Sequence, residues 1–201
     1  MRNGLRAALA VAVVLMAASA AAVPITYTFT GTATGYFINN TVRTDFTSSP
    51  FTIVIVDDTD NVFAAGGSVF RLVTNPNTAT IAIPPFPTAT LSNNQRLYDD
   101  QPASDLFLAD QVAGEEFRLH DTGFAAYALE RTFGPITNTP PFSQSYNGIA
   151  TSEGALTMTI ATMTFTAQVE EAIPAAGVAG LITLALLVGG GGVFLSRRFL
   201  A

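Results

Sequence analysis

The sequence predicts an all-β domain: an antiparallel β-sandwich of Greek-key or jelly-roll type over residues 23–172. An N-terminal signal helix and a C-terminal transmembrane helix flank it. Three observations lead there. Apolar residues in the middle of the chain alternate with polar ones at a period of two and never settle into a long 3.6-residue period. The runs are short and separated by Gly, Pro and Asn clusters, the punctuation of many antiparallel strands. The apolar excess lies instead at the two ends, for all fifteen carboxylates fall between residues 23 and 172, together with 25 threonines.

Residues 1–22 have the order of a secretory signal peptide. Arg2 and Arg6 form a basic start, Ala7 to Met16 an apolar run, and Ala17–Ala22 a small-residue stretch with A-x-A cleavage sites. The mature chain is therefore expected to begin near Ala21 or Val23. The alternative is an uncleaved anchor, for which the run is short and lacks a charged stop.

The first strand is expected from Pro24 to Gly35, with Ile25, Tyr27 and Phe29 on one face and Thr26, Thr28 and Thr30 on the other. Phe51–Val56 is β-branched and apolar on both faces, which predicts a central strand ended by the turn formers Asp57–Asn61. Further strands are expected at Ser68–Val73, Thr78–Ile83, Thr88–Leu91, Asp105–Leu108, Glu116–Leu119 and Ala125–Leu129. The last runs from Ala155 to Val169. Leu156, Met158 and Ile160 share one face, and Met163, Phe165 and Ala167 continue it one step out of phase, so a bulge is expected near Ala161–Thr162. No fixed-period repeat is present, which argues against a solenoid or propeller.

From Ala175 to Ser196 the chain carries no charge, and Arg197 and Arg198 follow. As a helix this stretch is about 33 Å long, enough to cross a bilayer core. The arginines would stay on the cytoplasmic side and leave residues 23–172 outside. Gly189–Gly192 would weaken the lower half of such a helix, and small residues such as Gly177 and Gly180 could alternatively serve helix pairing.

The absence of cysteine excludes disulfides, iron–sulfur clusters, thiolate zinc sites and cysteine nucleophiles. Five arginines against fifteen carboxylates give residues 23–172 a formal charge of −10, which disfavours a nucleic-acid partner. His120, the single histidine, sits beside Asp121, but no G-x-S-x-G nucleophile elbow accompanies it and one histidine makes no His-rich zinc site. Glu115 and Glu116 are neighbours on a predicted strand and would point to opposite faces, unsuited to paired glycosidase carboxylates; Asp121 or Glu130 is left as a distant partner. Asp57, Asp58, Asp60 and Asn61 offer hard oxygen ligands for calcium, yet the EF-hand glycine and terminal glutamate are missing and a polar turn is the simpler reading. Asp99–Asp100 and the pair Asp105 and Asp110 read the same way. No catalytic, cofactor or metal residue is assigned. Tyr36, Phe37, Tyr98, Tyr127, Phe133, Phe142 and Tyr146 are read mainly as packing, with sugar stacking as the alternative.

The C-terminal layout resembles the tripartite sorting signal of exosortase substrates, the PEP-CTERM group: a proline-led motif, one apolar span and a terminal Arg cluster. The string Ile173–Ile182 is similar to the IPTL-CTERM variant at Ile173, Pro174, Gly180, Leu181 and Ile182. It departs where that variant has threonine, leucine, an acidic residue and tryptophan. The threonine-rich opening and closing segments of residues 24–169 also resemble the extracellular β domains of such proteins. The resemblance implies a non-enzymatic cell-surface or extracellular-matrix protein. Its partners would be a processing exosortase, the membrane through residues 175–196, and exopolysaccharide, and Arg197 and Arg198 would stop transfer. A carbohydrate-binding module, or a secreted hydrolase with a carboxylate site, is the alternative function.

Overall fold

Period-two patterning becomes backbone along β1, Pro24–Asn39, where Ile25, Tyr27, Phe29, Ala33 and Phe37 are buried and the intervening side chains are not. The computed structural model describes residues 23–170, except 65, 67–68, 74–78, 111, 113–115 and 139–143. Eleven further strands follow among the described residues: β2 (Val42–Asp58), β3 (Phe63–Ala64), β4 (Val69–Val73), β5 (Ala79–Ala82), β6 (Ala89–Thr90), β7 (Gln95–Asp100), β8 (Asp105–Asp110), β9 (Glu116–His120), β10 (Phe133–Asn138), β11 (Gln144–Thr151) and β12 (Gly154–Val169).

Every pairing is antiparallel. One sheet has seven strands in the order β10-β12-β1-β2-β5-β6, with β11 also beside β12; the other runs β3-β4-β7-β8-β9. The larger sheet comes round on itself at one end. A Leu91–Thr151 bridge, with Ser92 N–H donating to Ala150 (2.8 Å) and Ser152 N–H to Thr90 (2.9 Å), ties the end of β6 to β11. Backbone groups that an edge would leave unpaired are satisfied there. Phe29, Ile53, Ile81 and Phe165 of the larger sheet join Leu72, Leu97 and Leu108 of the smaller in one buried cluster.

The phase slip in β12 is where its pattern placed it. Thr32 pairs with Thr162 and Ala33 with Ile160, so Ala161 has no opposite residue. Close approach near this bulge requires glycine, because a Cβ at Gly31 would sit 1.9 Å from the Thr162 carbonyl oxygen. That neighbour is backbone in the middle of a sheet and cannot turn aside. Gly31→Ala should therefore cost about 2–3 kcal/mol, read as a lower denaturant midpoint for the full chain; an unchanged midpoint would contradict the packing.

Two expectations are corrected. The strand expected over Ala125–Leu129 is instead the end of a 3-10 turn, Thr122–Ala126, whose N-cap Asp121 accepts from Gly123 N–H at 2.7 Å. Phe124 and Tyr127 are both buried, and a three-residue spacing is that of a 3-10 turn rather than of a strand. Phe51–Val56 is interior to its sheet, between β1 and β5, but its second face is not core: Val56 is 43% exposed. The larger sheet is buried on one face here, and the outer positions Thr52 and Val54 are only half-buried. Strands β3, β7, β10 and β11, which the sequence pattern does not mark, complete the two sheets.

The chain enters and leaves this unit at one place. Ile25 is paired with Val169, and Glu170 N–H donates to the Pro24 carbonyl at 2.9 Å. The signal helix expected over residues 1–22 and the segment Ile173–Ala201 lie outside the described residues, within which no helix is long and apolar enough to cross a membrane.

Candidate functional site

Cross-strand pairing, not sequence adjacency, decides which polar groups meet. Asp105 on β8 stands opposite His120 on β9. The His120 Nδ1 lies 2.9 Å from Asp105 Oδ1, and Arg118 Nη1 reaches Asp105 Oδ2 at 3.5 Å. His120 is 66% exposed while Asp105 is 9% exposed, so the carboxylate orients an imidazole that faces solvent. The sequence pair His120–Asp121 is thus split, since Asp121 caps the following turn. Among the described residues no hydroxyl is hydrogen-bonded to His120. Glu115 lies outside the described residues, and Glu130 is exposed on the loop before β10.

The aspartates do not converge on a cation. Asp57 Oδ1 accepts from Asp58 N–H (2.8 Å) and from the Asn61 amide, the bonding of a polar turn. Asp110 is buried beside Gln95, its partner across β7 and β8. Its carboxylate accepts from Gln95 Nε2, from Asn93 Nδ2 at 3.1 Å and from Val112 N–H at 2.9 Å. Tyr146 O–H donates to Gln95 Oε1 at 2.7 Å and completes a buried network that joins the two sheets. No group of three or more His, Asp or Glu side chains suited to a metal occurs among the described residues.

At the other end of the β7 inner face the accounting fails. Asp99 has no exposure, and neither carboxylate oxygen makes a hydrogen bond of normal geometry. The Tyr127 hydroxyl is buried and unpartnered too. Burial, and then the charge of Asp100, push the Asp99 carboxyl up to about 8, while the Gln101 amide offsets part of the rise. Burial, Tyr27 and Asp99 push the Tyr127 phenol upward. A neutral acid in the core is the chemical result at neutral pH. Because the group is fully buried, its protonation bears directly on the stability of the fold.

Most of the aromatic residues pack. Tyr127 stacks on Phe133 at 4.3 Å, Tyr27 O–H donates to the Leu129 carbonyl, and Arg43 covers the Tyr36 ring at 3.8 Å. Tyr98 accepts from Arg96, and Phe142 lies outside the described residues. Phe37 differs, because it forms part of a cleft. Three turns converge there: the tip between β1 and β2, the Pro84–Pro87 segment between β5 and β6, and the Ser152–Glu153 turn between β11 and β12. Phe37, Phe86, Pro87 and Val42 supply the apolar wall, and Asn39, Thr44 and Glu153 the polar groups. The cavity is about 160 Å³. Phe37 and Phe86 lie 5.3 Å apart, each braced against Phe46 at 6.1 Å. Val42 on the rim is 65% exposed.

Of the residues singled out by sequence, only Phe37 reaches this cleft. Phe86, Asn39 and Glu153 lie far apart in sequence; the β1–β12 pairing brings Glu153 beside Asn39, and Phe86 joins them from the segment between β5 and β6. The sorting-signal positions Ile173, Pro174, Gly180, Leu181, Ile182, Arg197 and Arg198 lie outside the described residues. No protein-family model, curated protein or solved structure matches this chain.

Proposed function

We propose that this is an exported, non-enzymatic protein of the cell surface or extracellular matrix, its β domain a Greek-key or jelly-roll-like sandwich. Residues 1–22 act as the signal peptide. The segment from Ile173 is a PEP-CTERM-like signal processed by an exosortase, with Gly180, Leu181 and Ile182 in its span and Arg197 and Arg198 as its stop.

The observation that carries the reading is the meeting of the two chain ends. Because Ile25 pairs with Val169, both flanking segments attach at one edge of the domain. The cleft lies at the other end of β1, thirteen residues along from Ile25 to Ile38, about 40 Å away at 3.3 Å per residue. Arginine resists crossing a bilayer, so the pair at the C-terminus would hold the span in place while the bond near Pro174 is cut. In a host that carries an exosortase, Arg197→Ala/Arg198→Ala should reduce the processed surface form severalfold by immunoblot of cell fractions. Unaltered processing would refute the stop-transfer role.

A further inference from the structure

We propose that the cleft at the closed end of the larger sheet binds a neutral pyranose unit of a polysaccharide, its C–H face on Phe86, which the buried Phe37 backs, and its hydroxyls on Asn39, Thr44 and Glu153. The inference does not depend on export.

The lining selects the ligand by elimination. A purely apolar guest would strip water from the Glu153 carboxylate and the Asn39 amide without replacing their hydrogen bonds, which is costly. An anionic guest would meet Glu153 with no cationic side chain among the lining residues, in a chain of formal charge −6. A small cation would engage the oxygens of Glu153, Asn39 and Thr44 and leave the apolar wall of Phe86, Pro87 and Val42 facing water. A pyranose has what the cleft asks for: an apolar face for the rings, and a rim of hydroxyls that donate to a carboxylate and both give to and take from an amide. At about 160 Å³ the cavity is smaller than the roughly 300–1,000 Å³ usual for enclosed ligand sites, so it takes a single ring of a longer chain that continues along the surface.

The cleft is also held in shape. Asn40 and Thr41, at the tip between β1 and β2, have φ of 49° and 87°. The second is uncommon for a β-branched residue and is maintained only by surrounding structure. That tip presents Asn39 and Val42. Gly154, at φ 112°, lets the turn carrying Glu153 lie against the end of β1; a Cβ there would be 2.3 Å from the Ile38 carbonyl oxygen. The aromatic trio fixes the wall between them. Such prearrangement lowers the ordering cost of binding.

The test is titration of the purified full-length chain with cellohexaose, mannohexaose and a galactose hexamer, with a galacturonate hexamer as the anionic control. At least one neutral hexamer should bind, shifting backbone amide signals at Asn39, Thr44 and Glu153, and the galacturonate hexamer should not. Phe86→Ala should weaken binding at least tenfold and Glu153→Gln three- to tenfold. Because Phe86 also packs on Phe37, Glu153→Gln, which leaves the wall intact, is the variant that decides if Phe86→Ala does not fold. The proposal is overturned if no neutral hexamer binds, if the anionic one binds as well, or if Glu153→Gln binds as tightly as the parent. Export is untouched by any of these results, since the purified chain is what is measured.

Discussion

Replacing Asp99 with asparagine will flatten the stability of the protein against pH. The carboxyl is raised from 3.8 to about 8 in the folded state, by burial first and the Asp100 charge second. Between those values the folded chain keeps a proton that the unfolded chain has released, so stability falls as pH rises. The contribution is fully present below about pH 4, declines by about 1.4 kcal/mol per pH unit, and is lost above about pH 8. The whole effect is on the order of 5 kcal/mol, a large part of the stability of an ordinary domain. A carboxamide has nearly the same shape as the carboxyl it replaces and does not ionise. Melting temperature measured from pH 4 to pH 9 should fall steeply in the parent relative to Asp99→Asn, with the two close together at the acid end. Parallel curves, or a parent more stable at pH 8 than at pH 5 by the same margin as the variant, would mean that Asp99 is ionised in the fold and has partners there.

Phe165→Ala should be the most damaging single truncation in the core. Its ring is fully buried and meets four others: Tyr27 at 6.4 Å, Phe29 at 5.0 Å, Phe124 at 6.0 Å and Tyr127 at 6.0 Å. These come from β1 and from the 3-10 turn and its C-cap, so no single element can shift to fill the space. Truncation of a buried phenylalanine costs about 3–5 kcal/mol, and here the upper half of that range is expected. Thermal unfolding of the full chain should move down by roughly 10 °C or more. Val56→Ala, at an exposed position on β2, is the contrast and should cost well under 1 kcal/mol. A Phe165→Ala protein that melts within about 3 °C of the parent would show that the aromatic cluster is not packed as described.

How much of this was legible in the sequence depends on whether a strand buries one clean face. β1 and β12 do. Their alternation, and even the slip at Ala161, can be read directly because each inward residue is apolar and each outward one mostly threonine. β7 does not. Its inward residues are Gln95, Leu97 and Asp99, so two of the three buried positions carry polar side chains and the period of two has no hydrophobic signature. β10 contains Gly134-Pro135, which reads as a break although the strand pairs with β12, and β11 carries Gly148 at φ 68° between Tyr146 and Ile149, where its register with β12 shifts. The opposite error occurred at Ala125–Leu129, where buried Tyr127 and Leu129 imitate alternation inside an irregular segment. The His120–Asp105 pair and the cleft were out of reach for a further reason. Both arise from strand pairing across fifteen or more residues, which local pattern does not specify. Phe37 was visible as an aromatic residue, but nothing near it in sequence points to Phe86 or Glu153.

The most direct test of the proposed function is the mass of the mature protein recovered from the envelope or medium of a host that carries an exosortase. Intact-mass and terminal-peptide spectrometry should find a chain that begins near Ala21 or Val23 and ends near Pro174, without Phe199-Leu200-Ala201. A steady-state surface protein that still starts at Met1, or still carries those three C-terminal residues, would contradict the processed-export reading.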